Sequence, residues 1–362
     1  MEYVKLEEIC TIVSGGTPSR SKPNYWNNGN IPWIKIKDMK SKYIDSAEEF
    51  ITEEGLNNSS TKMLKRDTIL YSIFATLGEV GILKIDACTN QAIAGLSLKE
   101  DSNILKEYLY YYLKSKKKDV NNLGRGVAQN NINLSLLRKF KIPVIPLRQQ
   151  KKIIEVLDNV SSTINNYERE LTLLDELVKA RFVEMFGDPV ENTMNWPEIF
   201  IGDKCFVTKL AGFEYTQYID YEESGEVVMV KAQNVKNGKL NRKDLSFISK
   251  KVSDSLPRSQ LAPGDVVMTY VGANIGDVAV IDDVYKYHLA PNVAKIRPNA
   301  EVYNSIYFMY MLMLLNIYIV KNSADTAKAA LGMERIRKLK VFIPPLELQN
   351  QFASFVEEID KS

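Results

Sequence analysis

The second half of the chain echoes the first at an offset of about 199 residues, and a duplication limits the possible architecture more than composition can. Leu64-Lys65-Arg66-Asp67-Thr68-Ile69-Leu70, followed by Leu77-Gly78-Glu79-Val80, matches Leu261-Ala262-Pro263-Gly264-Asp265-Val266-Val267, followed by Ile275-Gly276-Asp277-Val278. Trp33-Ile34-Lys35-Ile36-Lys37-Asp38-Met39 parallels Met229-Val230-Lys231-Ala232-Gln233-Asn234-Val235, and Tyr108 to Leu113 parallels Tyr307 to Leu312. Each copy closes alike, with Arg138-Lys139-Phe140-Lys141-Ile142-Pro143-Val144-Ile145-Pro146-Leu147-Arg148-Gln149-Gln150 in one and Arg337 to Gln349 in the other. A short apolar strand there ends at proline, which suits the first turn of a helix but not its interior. Four blocks in one order at one offset are not chance. Within 362 residues this predicts two domains of roughly 150 residues each plus connectors.

Each copy reads as β-rich with helices. Val227–Val230, Asp265–Tyr270 and Val278–Ile281 have strand-like length and apolar content. Asn27-Asn28-Gly29-Asn30 and Asn237-Gly238 mark turns, and helices are expected over Ile104–Ser115 and Ile306–Lys321. Between the copies, from Arg148 to Phe186, there is neither proline nor glycine. Apolar residues fall at Ile153, Leu157, Val160, Ile164, Tyr167, Leu171, Leu174, Val178 and Met185, alternating four and three, with Arg181 at the one missed step. That heptad seam predicts a coiled-coil helix, which Gly187-Asp188-Pro189 stops. Its length, roughly 58 Å at 1.5 Å per residue, matches roughly 17 base-pair steps of a duplex at 3.4 Å each. Two domains on such a rod could address two sites on one face of DNA.

The expected fold is therefore α+β: two repeated β-rich domains, 1–145 and 188–345, separated by a long spacer helix at 146–187, with a short second helix at 346–362. The apolar run Ile306 to Val320 is broken by Asn316 and falls short of the ~20 residues a bilayer span needs. No basic region followed by an apolar stretch opens the chain, so no signal peptide is expected. Cys10, Cys88 and Cys205 lack metal-type spacing and cannot form a disulfide framework. A cytoplasmic setting is expected. The net charge of +2 says little about partners, although the positive excess lies in the two copies and not in the connectors, as DNA-facing parts require.

Several segments resemble the DNA-specificity subunits of type I restriction–modification systems. Ser14-Gly15-Gly16-Thr17-Pro18-Ser19 is similar to their opening motif, and Tyr71 to Gly81 to their strand–loop–strand. Ile145 to Gln150 and Pro344 to Gln349 resemble the entries into their conserved helices, and Lys179-Ala180-Arg181-Phe182-Val183-Glu184-Met185-Phe186-Gly187-Asp188 the exit from the central one. The likeness covers the whole chain. It implies two target-recognition domains, each reading half of a split target in double-stranded DNA, with two methyltransferase subunits bound and two restriction–translocase subunits added in the full complex. S-adenosylmethionine, ATP and Mg2+ would serve those partners, which would methylate adenine, and this chain would hold no cofactor or metal. Two features depart from the pattern. The second copy has Thr208-Lys209-Leu210-Ala211-Gly212-Phe213-Glu214-Tyr215 in place of the Ser-Gly-Gly-Thr-Pro turn. The family pairs two helices of similar length, whereas here the second starts near Leu348, so either the chain is truncated or a partner completes a short helix.

Polar loops after strands can present amide and basic side chains to base edges, while hydroxyls hold phosphates. The candidates are Thr17, Ser19, Arg20, Lys35, Lys37, Ser72, Phe74, Thr76, Arg125, Gln129 and Asn130 in the first copy. In the second they are Lys209, Tyr215, Gln217, Lys231, Gln233, Asn234, Thr269, Tyr270, Asn274 and Lys328. Catalysis finds no support. A methyltransferase needs a Gly-rich cofactor loop and an Asp/Asn-Pro-Pro-Tyr-like turn, and Lys22-Pro23-Asn24-Tyr25-Trp26 has the wrong order. His288 has no ligand-spaced partner, and Asp67 and Asp265 suit turns. Two other readings remain: a specificity protein for a type II-like methyltransferase–nuclease fusion, and a non-catalytic coiled-coil scaffold.

Overall fold

The computed structural model describes residues 2–124, 132–323 and 330–361, with the backbone alone for 122–124 and 317–323. The chain divides into two compact units, Met1–Tyr167 and Glu168–Ser362, and the division falls inside the central helix. Each half of that helix therefore belongs with the globular part beside it.

In the first unit a five-stranded sheet runs in the order Cys10–Ser14, Ile93–Leu98, Ile69–Ser72, Val80–Leu83, Tyr43–Ile44. A second sheet pairs Ile31–Ile34 with Glu49–Ile51 on one side and Cys88–Thr89 on the other. Ile69, Leu70 and Tyr71 are buried without interruption, as strands covered on both faces require. Helix Lys106–Ser115 covers the large sheet with Tyr108, Leu109 and Leu113. It begins two residues later than expected because Leu105 stays extended as its cap.

The second unit repeats the plan. One four-stranded sheet has the order Cys205–Lys209, Val293–Pro298, Val266–Thr269, Val278–Val280, and another the order Phe247–Ile248, Val227–Val230, Lys286–Leu289, Gln260–Leu261. Ile12 opposite Leu96 in the first unit has its equivalent in Val207 opposite Ile296. The expected strands at 265 and 278 are trimmed to Val266–Thr269 and Val278–Val280, and Asp265 leaves the first of them as a turn cap. Its carboxylate accepts from the Ala262 amide at 2.8 Å. The Asn237-Gly238 turn, both residues at positive φ, joins the hairpin Val235–Lys236 and Lys239–Leu240. Among the described residues no helix is long and apolar enough to cross a membrane, and Cys10, Cys88 and Cys205 are buried free thiols.

The central helix spans Leu147–Phe186. Gly187, at φ +80°, closes it by donating its amide hydrogen to the Val183 carbonyl at 2.8 Å. The expected seam is exposed from Ile153 through Leu157, Val160, Ile164 and Tyr167 to Leu171. Near its end the buried side shifts by one residue. Phe182 and Phe186 are fully buried, whereas Arg181 and Met185 are partly exposed. Phe182 stacks on Tyr307 at 5.4 Å and meets Phe352 edge-on at 5.4 Å. The helix has there joined a globular core with period 3.6, and it leaves the heptad register. Helix Ser305–Ser323 and the terminal helix Leu346–Lys361 complete this core.

His288, the only histidine, is fully buried in the second unit. Burial holds its pKa below 6.5, so the folded ring is neutral at neutral pH. The unfolded chain takes up that proton below pH about 6.5. Stability of the second unit is therefore expected to be lost as pH falls from about 6.5 through the folded pKa. Melting of wild type against His288→Asn between pH 7 and 5.5 checks this; an equal pH slope in both would refute it.

Candidate nucleic-acid interface

In the first unit, residues 89–93 tie three stretches of the chain together. Gly15 and Gly16 donate amides to the carbonyls of Ile93 and Thr89 at 3.1 and 2.9 Å. A Cβ at Gly16 would lie 2.5 Å from the Thr61 nitrogen, so the approach requires glycine. Thr17 donates its hydroxyl to the Gln91 side chain. Ile73 donates its amide to the Ala92 carbonyl at 2.8 Å, and Asn90 its own to Ile34 at 3.2 Å. The glycine turn, the loop after Ser72 and the end of the Ile31–Ile34 strand are thereby linked through one short segment.

On this surface the cations are held by carboxylates and rings. The Arg20 guanidinium lies 3.6 Å from the centre of the Trp26 ring and pairs with Glu49 at 2.5 Å. Lys35 pairs with the other oxygen of Glu49, and Lys37 with Glu48. Partial burial works against ionisation of Glu49, but the hydrogen bonds from Lys35 and Arg20 outweigh it and hold its pKa below the usual value. Ser19 is exposed, and its carbonyl accepts from the Trp26 indole at 3.1 Å.

Ser72 is fully buried. Its hydroxyl donates to the Thr76 carbonyl and accepts from the Glu79 amide at 2.7 Å, so it braces the loop from inside. Phe74 and Thr76 are left exposed, with Ala75 between them at φ +61°. The second unit has the same backbone frame, for the Thr269 amide donates to the Asp277 carbonyl at 2.9 Å and its carbonyl accepts from Gly276 at 2.8 Å, but the Thr269 hydroxyl has no hydrogen-bond partner among the described residues. Thr269 is buried like Ser72, while Asn274 is exposed. Lys209 sits 5.4 Å from the centre of the half-buried Tyr270 ring. Lys231 donates to the Asp244 carbonyl at 3.1 Å and the Ser246 hydroxyl at 2.9 Å. Asn234 is buried and turned inward, donating to the Asn241 carbonyl at 2.9 Å, while Gln233 beside it is exposed. Where the first copy has its glycine turn, the second has the short helix Gly212–Tyr218, carrying exposed Gln217 and half-buried Tyr215.

Ser72, Thr269 and Asn234 thus shape loops from within, whereas Thr17, Ser19, Arg20, Lys37, Phe74, Thr76, Lys209, Gln217, Gln233 and Asn274 reach solvent. Arg125, Gln129, Asn130 and Lys328 lie outside the described residues. Sequence reasoning missed Trp26, Glu49 and Gln91. A tryptophan six residues after an arginine and an Asn-Gln pair between two apolar runs were the available signals. It also missed Gln150 and Gln349, both fully buried. Gln150 donates to the carbonyls of Asn103 and Ile145 at 2.7 and 2.9 Å and accepts from the Leu105 amide at 2.8 Å. Gln349 repeats this on Val302, Pro344 and Asn304 at 3.0, 2.8 and 2.9 Å. Each glutamine fastens the first turn of its helix to its own unit. Among the described residues no cluster of His, Cys, Asp or Glu could hold a metal ion.

The family model described as "Type I restriction modification DNA specificity domain" matches residues 1–175 and 194–362. The chain is 34% identical over 188 residues to the EcoR124I/EcoR124II specificity subunit of Escherichia coli, covering 50% of this chain and 46% of that protein. It thus spans about half the length of that relative. Over 376 residues it is 24% identical to the MjaIX specificity subunit of Methanocaldococcus jannaschii, covering 98% of this chain and 85% of that one. Its fold is similar to that of the type I restriction–modification S subunit from M. genitalium, with a TM-score of 0.54 at 17% identity over 99% of this chain and 89% of that one.

Proposed function

Because the chain belongs to the type I restriction modification DNA specificity family, a family of non-catalytic recognition subunits, we propose that each of its two units reads one half of a bipartite target in double-stranded DNA. The duplicated frame is the observation that carries this: one scaffold occurs twice, and its exposed loops carry different side chains. The groove-facing set comprises Thr17, Ser19, Arg20, Lys35, Lys37, Phe74, Thr76 and Gln91 in the first unit. In the second it comprises Lys209, Tyr215, Gln217, Lys231, Gln233, Tyr270 and Asn274, with Ser72, Thr269 and Asn234 shaping the loops. Arg125, Gln129, Asn130 and Lys328 are proposed contacts from their sequence alone.

Two methyltransferase subunits would bind this chain, and two restriction–translocase subunits would join in the full complex. Adenine methylation from S-adenosylmethionine would proceed in the former, and ATP and Mg2+ would serve the latter. The exposed apolar seam from Ile153 to Leu171 supports a helical partner there. The test is domain exchange. Replacing residues 1–145 with those of another family member, followed by methylome sequencing, should change one half-site and leave the other intact. A change in both would refute the division of labour.

A further inference from the structure

We propose that Arg20 reads a guanine in the major groove, held in reading position by Trp26 beneath it and Glu49 beside it. This rests on the first unit being a DNA half-site reader.

Arginine carries five N–H donors in a planar fork. Here one nitrogen donates to Glu49, and the rest of the fork makes no hydrogen bond among the described residues. One flat face is covered by the Trp26 ring, yet 54% of the side chain stays exposed. The indole is itself fixed, by its bond to the Ser19 carbonyl and by edge-on packing against buried Trp33 at 5.0 Å. Glu49 cannot swing away, because its second oxygen is taken by Lys35. The guanidinium is thus immobilised before any ligand arrives, so little rotamer freedom remains to be lost on binding.

The charge pattern separates base from phosphate. A phosphate-binding arginine gains from further cations and loses from adjacent carboxylates. Arg20 has Glu49 bonded to it, and neighbouring Glu48 holds Lys37. These carboxylates offset most of the charge of Arg20, Lys35 and Lys37, so a phosphate gains less here than at an unpaired arginine, whereas the N7 and O6 acceptors of guanine match the fork. Adenine offers N7 beside a donor amine and would clash with it. Glu49 is the positioning residue of this arrangement.

The experiment uses the complex of the full chain with its methyltransferase partner and a duplex bearing the methylated site. Each guanine–cytosine pair of the first unit's half-site is replaced in turn with 7-deazaguanine–cytosine, which removes N7 alone. Binding should weaken about tenfold at one position. With Arg20→Ala, which removes every donor, that position should show no further loss. Glu49→Gln should reduce the discrimination while the other half-site is read unchanged. A half-site in which every guanine tolerates the replacement would overturn the proposal. So would Arg20→Ala lowering binding equally on all sequences, the behaviour of a phosphate contact, and both results leave the half-site reading standing. A wild-type complex that methylates no bipartite site would overturn both.

Discussion

Gln150→Leu is expected to destabilise the first unit by about 4 kcal/mol and to loosen the central helix from it. Leucine nearly matches glutamine in volume, so packing is largely kept. The substitution strips partners from three partly buried main-chain groups: the Asn103 and Ile145 carbonyls and the Leu105 amide. Each group left unsatisfied costs about 1–3 kcal/mol, and partial rehydration keeps the total below the full sum. In urea the transition of the first unit should move to lower concentration while that of the second stays put, because the two units have separate cores. Gln349→Leu should produce the mirror result. The exposed neighbour Gln149, changed to alanine, is the control and should shift neither transition. Coincident transitions in all three variants would show that the glutamines do not act as local fasteners.

The second large effect concerns a turn that the two copies brace with carboxylates at different positions. Asp265 is buried and receives a bidentate grip from Arg297 at 2.5 and 2.7 Å, which raises the pKa of Arg297 further. Arg297→Ala strands a buried carboxylate, at a cost of about 3–5 kcal/mol. Asp265→Ala should cost less, since the half-exposed Arg297 can turn to water. The double variant should fall well short of the sum of the two. In the first copy Thr68 stands where Asp265 does, and the turn is braced instead by Asp67, the counterpart of Gly264, which pairs with Lys106 at 2.5 Å in a partly exposed setting. Lys106→Ala should cost at most about 1 kcal/mol. Equal losses from Arg297→Ala and Lys106→Ala, measured by denaturant midpoints, would refute this contrast.

The frame was largely legible in the sequence because it is written in short-range signals. Val227–Val230 is a strand as expected, and the helices stop where Gly187 or the Ser115–Lys116 step interrupts them. The misses come from tertiary partners. The expected helix includes Leu105, yet its amide is claimed by Gln150, 45 positions away in sequence. The heptad seam held until Phe182 and Phe186 met Tyr307 and Phe352, aromatic neighbours from two other helices. Candidate site residues fared unevenly for a physical reason. Ser72, Thr269 and Asn234 have side chains short enough to turn inward and serve the backbone of their own loops or pack beneath them. Long side chains such as Arg20 and Gln217 reach outward. The clamp of Glu49 on Arg20 and Lys35 joins residues on separate strands and loops, and no spacing rule announces it.

Both glutamine fasteners grip only main-chain atoms. A spliced-in reader therefore needs the same backbone path at three residues, while side chains such as Leu105 and Ile145 must still pack on its own core. Genetic recombination across Ile145–Pro146 could consequently hand the rod a foreign module and still obtain a tight seat. Inheritance of new addresses would then keep the fastener, leaving only side-chain bonds such as those of Lys42 and Tyr111 to Asp158 to be matched anew.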